Sequence, residues 1–293
     1  MPRKNELLQK GEILKFKYVV KHIMAAGGYA LVYAADRIED DSAVVIKALR
    51  SGVTEMDPNA NERFEREAKI AAHLNHPNIV EIFDFGVTES NVQFIVLERL
   101  YGYALSQVIY LEPAPHEHVR QILMQLLSAL AHAHDQGIVH RDIKPSNIYI
   151  CEPEDTEAAE HEYRIKVLDF GLSKGLWGGR ATFCQPLTMA GESVGTPGYL
   201  APEMLKDMAI TTPQVDLYAV GLLGYEMLTG TEAYSGTGVQ RAYAQMTQDP
   251  KPPPKSVKQL PVFKVIRNLI EREPSDRYLS AVEAIYDLEH LGD

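Results

Sequence analysis

The chain has 293 residues, 45% apolar and 24% charged, enough to bury a large core in one domain or in two lobes sharing a cleft, and far from a disordered composition. Its formal charge of −11 repels phosphate backbones and anionic lipid, so nucleic acid and membrane surfaces are poor partners and basic or neutral ones are easier to accommodate. Cys151 and Cys184 are too few for a disulfide framework and lack zinc-site spacing, which fits a reducing cytoplasm, and the longest apolar stretch, "LYAVGLLGYEML", is too short and interrupted to span a bilayer.

Residues 1–15 read as an N-terminal extension without a continuous apolar core. From Tyr18 to about Leu100 short strands dominate: "YVVKHIM", "ALVYAAD", "SAVVIKAL", "IVEIFDFG" and "VQFIVLE". Within "MAAGGYALVYAAD", Gly27 and Gly28 separate two extended runs, and taken alone a plain hairpin accounts for them. One helix interrupts the strands, "NERFEREAKIAAHL", with Phe64, Ile70, Ala71 and Leu74 assigned to its apolar stripe and Glu67 falling inside it.

Beyond Tyr103 the character turns helical, beginning with "HEHVRQILMQLLSALAHAHDQG", which Gly137 closes. The change places a hinge near "ERLYGY", Glu98 to Tyr103, and predicts an α+β arrangement of a strand-rich part, 16–100, and a helical part, 101–293. Residues 151–163, "CEPEDTEAAEHEY", carry six carboxylates and no Lys or Arg, the pattern of a solvated insertion. "DPKPPPKSVKQLP", residues 249–261, has enough proline to stiffen an irregular connection.

Two segments carry chemistry. In "GIVHRDIKPSNIYI" short apolar pieces bracket a charged loop, with Lys144 two residues and Asn147 five residues after Asp142. In "RIKVLDFGLSK", Asp169 follows an apolar strand and precedes a glycine that permits a sharp turn. A carboxylate and an amide oxygen are the hard ligands that Mg²⁺ prefers, with room left for phosphate oxygens and water. Lys47 in "AVVIKAL" is expensive to bury alone, and Glu67 is the candidate partner.

These residues together resemble the eukaryotic-type protein kinase family, and within it the bacterial Ser/Thr kinases. "VIK", "REAKI", "HRDIKPSN", "LDFG", "GTPGYLAPE", "DLYAVG" and "SDRY" occur in the family's order over nearly the whole chain. The resemblance implies a bilobal protein kinase fold that binds ATP with Mg²⁺, Mn²⁺ being an alternative, and phosphorylates Ser/Thr of protein substrates, itself in trans included. It implies that Lys47, held by Glu67, binds the α and β phosphates, that Asn147 and Asp169 hold the metal, that Asp142 orients the attacking hydroxyl and accepts its proton, and that Lys144 lies beside the transferring phosphate.

The same resemblance assigns the nucleotide site to Ala25, Gly27, Gly28, Val32, Val45, Glu98, Leu100 and Tyr149. The glycine pattern falls on Ala25, Gly27 and Ala30, so only the middle glycine survives; the extra methyls leave the backbone N–H groups in place and predict weakened, not abolished, nucleotide binding. Tyr149 stands where an aliphatic residue usually floors the adenine, and its hydroxyl needs a partner. Lys144 and Thr196 match the Ser/Thr branch, whereas Ala104 and Ser146 lack the acids of arginine-directed relatives. Arg141 invites a phosphate on the activation segment, for which Thr188 and Ser193 are the candidates. Glu203 with Arg277, and Asp216 beneath the catalytic loop, are read as architecture. Two other functions compete: an inactive kinase fold acting as a nucleotide-binding scaffold, motivated by Ala25, Ala30 and Tyr149, and a small-molecule kinase, against which the peptide-docking segment "GTPGYLAPE" argues.

Overall fold

The computed structural model describes residues 7–27, 30–49, 60–152, 164–170, 197–207 and 209–291. These fall into two compact units, the first holding described residues 7–75 and 80–100, the second 76–79 and those from 101 onward.

The first unit is a six-stranded antiparallel sheet: β1 (Ile13–Leu14), β2 (Tyr18–Ala26), β3 (Ala30–Arg37), β4 (Ala43–Leu49), β5 (Ile82–Val87) and β6 (Gln93–Glu98), in the order β1-β2-β3-β4-β6-β5. The apolar alternation seen in the sequence sorts the two faces. Val44 and Ile46 of β4 join Leu31, Tyr33, Phe94 and Val96 in one core, which also takes in Leu8 and Leu14. The Tyr33 hydroxyl accepts the N–H groups of Leu7 and Leu8 at 3.0 and 3.1 Å and so ties this early segment to the sheet.

The opposite face carries Ala30, Leu49 and Ile95, covered by Phe64 and Ala71 of α1 (Ala60–Ala72). Phe64, Ala68 and Ala71 form the buried stripe of α1, whereas Ile70, which the sequence assigned to it, is 45% exposed. Counting 100° per residue explains this, because Ile70 lies well over a quarter turn from the line joining Phe64 to Ala71.

In the second unit β7 (Gly102–Ala104), β8 (Ile148–Cys151) and β9 (Arg164–Val167) make a small antiparallel sheet beside α2 (His116–Asp135). Then come α3 (Pro202–Lys206), α4 (Gln214–Thr229), α5 (Val239–Thr247), α6 (Lys255–Lys258), α7 (Pro261–Leu269) and α8 (Ala281–Glu289). Helix α4 is buried from Val215 to Leu228, as its apolar residues all round the axis require. Gly221 lets it approach the end of α7, since a Cβ there would stand 2.7 Å from Leu269 Cβ. The proline-rich stretch expected to be irregular contains α6, a single turn entered from Pro254, whose fixed φ suits a helix start.

Gly102 opens β7 with φ +136°, and a Cβ there would lie 2.1 Å from Ile150 O across the strand pair. Gly102→Ala should lower stability by more than about 1 kcal/mol, read as a shift of the urea midpoint at constant slope. An unchanged midpoint would contradict this reading of the strand pair.

Candidate active site

The loop between α2 and β8 is built on one buried carboxylate. Asp216, in the first turn of α4 and 1% exposed, accepts the backbone N–H of Arg141 at 2.7 Å on Oδ1, and on Oδ2 that of His140 and the Nε2–H of His134, both at 2.8 Å. This fixes Arg141 in the left-handed region, φ 68°, which costs a non-glycine residue about 1 kcal/mol unless its surroundings hold it there. The architectural role read for Asp216 is the one observed.

His140, fully buried, is the second anchor. Its Nε2 faces the Leu168 carbonyl at 2.8 Å, which can only accept, and its Nδ1 faces the Asp142 N–H at 3.2 Å, which can only donate. The ring therefore carries its proton on Nε2. The Phe170 ring meets it edge-on at 4.6 Å. Leu168 N–H in turn donates to Asn147 O at 2.8 Å, so the strand end before Asp169 is pinned from both sides, and Asp169 itself is left-handed at φ 63°.

On this frame three of the expected residues meet directly. Lys144 Nζ donates to both carboxylate oxygens of Asp142, at 3.0 and 2.8 Å, while Asn147 Nδ2 donates to Asp142 O at 2.8 Å and Oδ2 at 3.1 Å. The Asn147 amide nitrogen is turned to Asp142. By chemistry, an amide oxygen and the Asp169 carboxylate are hard oxygen donors of the kind that fits Mg²⁺.

The first unit places the remaining residues. Cross-strand pairing sets Ala25 against Val32, and Val32 against Lys47, in one row, with Val45 two residues along β4 on the same face. Gly27 N–H closes back on Ala30 O at 2.9 Å; Gly28 lies outside the described residues. Ala30 is buried beside Leu49 and Phe64. Glu67 belongs to α1, but its side chain, and with it the expected pairing with Lys47, is outside the described residues, as are Thr188 and Ser193.

At the end of β6, Glu98 and Glu81 clasp each other: Glu98 N–H donates to Glu81 O at 3.0 Å, and Glu98 Oε1 accepts Glu81 N–H at 2.8 Å. Leu100 follows, half-buried. In the second unit the Tyr149 hydroxyl finds its partner within the sheet, donating to Gly102 O at 2.7 Å. The Arg277 guanidinium grips both oxygens of Glu203, at 2.7 and 2.9 Å, fastening α3 to the helices that follow.

Sequence reasoning did not find Glu226, a buried acid of α4 that accepts hydroxyls from Tyr110 and Tyr199. The available signal was an acid inside an otherwise apolar helix, "DLYAVGLLGYEML".

A strand-rich unit with a lysine in its sheet, followed by a helical unit carrying the Asp142, Lys144 and Asn147 cluster, defines a protein kinase domain. The protein kinase domain family model matches residues 18–287, and the chain belongs to that family. It is most like bacterial members: 37% identical over 278 residues to the serine/threonine-protein kinase pkn3 of Myxococcus xanthus, covering 92% of this chain and 49% of that protein. It is 34% identical to the serine/threonine-protein kinase PrkC of Bacillus subtilis, covering 95% and 41%. The chain thus spans about half the length, or less, of the curated relatives it matches. Among solved structures, the kinase domain of Mycobacterium tuberculosis PknI superposes with a TM-score of 0.70 at 23% identity, over 97% of this chain and 100% of that one. Rad53 1-466, solved with AMP-PNP, gives 0.70 at 25% identity, over 92% and 64%. Among the described residues no helix is long and apolar enough to cross a membrane.

Proposed function

We propose that the chain transfers the γ-phosphoryl group of ATP to serine and threonine hydroxyls of protein substrates. The observation that carries this is the Asp142, Lys144 and Asn147 cluster, with its hydrogen bonds already made. In the reaction the bond between the γ-phosphorus and the β-phosphate oxygen breaks, a bond from the substrate oxygen to phosphorus forms, the hydroxyl proton passes to Asp142, and ADP leaves. Asp142 orients the hydroxyl, Lys144 lies beside the moving phosphoryl group, and Lys47 binds the α and β phosphates. Asn147 and Asp169 would hold Mg²⁺, which when bound would supply charge neutralisation for the phosphates.

On this reading, Ala25, Gly27, Gly28, Val32 and Val45 face the nucleotide, and the backbone of Glu98 and Leu100 meets the adenine edge. The chain also phosphorylates copies of itself, at Thr188 or Ser193, in the cytoplasm. Because Asp142, Lys144, Asn147 and Asp169 are all present, the enzyme reading is preferred to a silent scaffold.

The test combines the purified chain, γ-labelled ATP, Mg²⁺ or Mn²⁺ and a generic basic protein, followed by phosphoamino-acid analysis and mapping of the chain's own sites. Label on serine and threonine, lost in Asp169→Asn, is expected. Label on tyrosine only, or nucleotide binding with no transfer, would overturn the reading.

A further inference from the structure

Helix α8 buries one face and leaves the other apolar. Ala281, Ala284 and Leu288 are buried on the side that α2 and α7 cover. On the outward side Val282 is 63% and Tyr286 61% exposed, and Leu279, just before the helix, is 68% exposed. At 100° per residue Val282, Tyr286 and His290 lie within about 80° of one another, which makes a stripe along the helix. A lone exposed apolar residue is ordinary, but three large ones spaced i, i+3, i+7 form a seam of the kind that two helices share.

The stripe is held in shape. Ser280 Oγ accepts the Glu283 N–H at 3.3 Å and Glu283 Oε2 accepts the Leu279 N–H at 2.8 Å, a reciprocal cap that fixes the first turn and Leu279 with it. A leucine placed before such a cap usually packs back on the helix as a staple, whereas Leu279 leaves most of its side chain in water. Further along, the rings of Tyr286 and His290 stack at 4.1 Å, and His290 Nδ1 donates to Tyr286 O at 2.8 Å. Side chains that are already ordered lose little entropy when a partner covers them.

Charge selects what that partner is. Helix α8 carries Glu283, Asp287 and Glu289 and no Lys or Arg. Asp287 is engaged by the Tyr278 hydroxyl at 2.7 Å, while Glu283 and Glu289 border the stripe on its two sides. Two copies of α8 laid face to face would set these acids against each other, and anionic lipid or nucleic acid would be repelled. A helix with apolar residues on one side and Lys or Arg beside them matches both features, and the formal charge of −11 attracts it.

We infer that the outer face of α8 is a docking surface for a basic amphipathic helix of a partner protein. Leu279, Val282 and Tyr286 supply the apolar seam, and Glu283 and Glu289 meet the flanking cations. The inference is independent of the phosphotransfer reading, since none of these residues belongs to the Asp142 cluster.

The test titrates the purified chain with a fluorescent synthetic helix bearing leucine on one side and lysine on the other, and with the same helix carrying glutamate in place of lysine. Saturable binding of the lysine helix alone is expected, weakening as salt rises. Val282→Gln and Tyr286→Gln, at exposed positions where glutamine suits a helix, should each raise Kd about fivefold or more. Glu289→Gln should raise it about two- to fivefold and flatten the salt dependence. Thermal melts matching the wild type establish that the variants stay folded. Hydrogen exchange locates the contact: protection of residues 279–290 should increase with the lysine helix and not with the glutamate one. Equal binding of the two helices, a Kd that neither Val282→Gln nor Tyr286→Gln moves, or added protection only elsewhere on the chain overturns the proposal. So does a dimer in sedimentation equilibrium that Tyr286→Gln dissociates, because the face would then belong to a second copy.

Discussion

Asp142→Asn should lower phosphotransfer by about 10²- to 10⁴-fold while leaving ATP affinity nearly unchanged. The substitution keeps the shape of the side chain and one acceptor for Asn147 Nδ2, now 3.1 Å from Oδ2, but removes the charge that Lys144 contacts at 3.0 and 2.8 Å and the base proposed to take the hydroxyl proton. His140 and Asp216 hold the loop through its backbone, so the loop conformation should survive the change. The effect belongs in kcat: an interaction used in the transition state is lost, whereas groups that bind the nucleotide are untouched. Steady-state rates beside equilibrium titration with a nucleotide analogue separate the two, and a mutant that retains a tenth of the activity would remove Asp142 from its proposed role.

Arg277→Met should be the most damaging change outside that cluster, costing about 3–5 kcal/mol. The guanidinium is fully buried, bonds both oxygens of Glu203, and also donates to the carbonyls of Glu271 at 2.7 Å, Arg272 at 2.8 Å and Gln214 at 3.0 Å. Its removal leaves a buried carboxylate without its cation and three carbonyls short of a donor. The face of Tyr218, 4.8 Å away, adds a cation–π contact that methionine cannot replace. Calorimetry should show Tm lower by on the order of 10 °C. Combining Arg277→Met with Glu203→Gln should recover part of the loss, because the orphaned charge disappears with its partner; strict additivity of the two changes would mean the pair does not act as one unit.

Much of this was legible in the text of the chain. The alternation in "AVVIKAL" fixed which residues of β4 face the core, and the spacing of Asp142, Lys144 and Asn147 led to the side chains that meet. What escaped has a common physical cause, namely partners brought close only by tertiary folding. Tyr110 and Glu226 are 116 residues apart, so no local pattern links them, and the Tyr149 hydroxyl bonds a carbonyl 47 residues earlier. Ile70 was misplaced for a local reason: at 100° per residue it lies off the line of Phe64, Ala68 and Ala71, and a single apolar residue there points outward at little cost. Leu8 entered the core because Tyr33, a strand residue, offers its hydroxyl to two backbone amides, which no hydropathy pattern announces.

The methyl group of Ala30 changes how the sparse glycines of the proposed nucleotide loop should be viewed. It is packed against Leu49 and Phe64, so a designer who put glycine back at residue 30 would gain backbone freedom and open a void under α1 in the same step. The alanine thus belongs to the architecture of the sheet as much as to the proposed phosphate cradle, because its methyl group is part of the packing beneath α1.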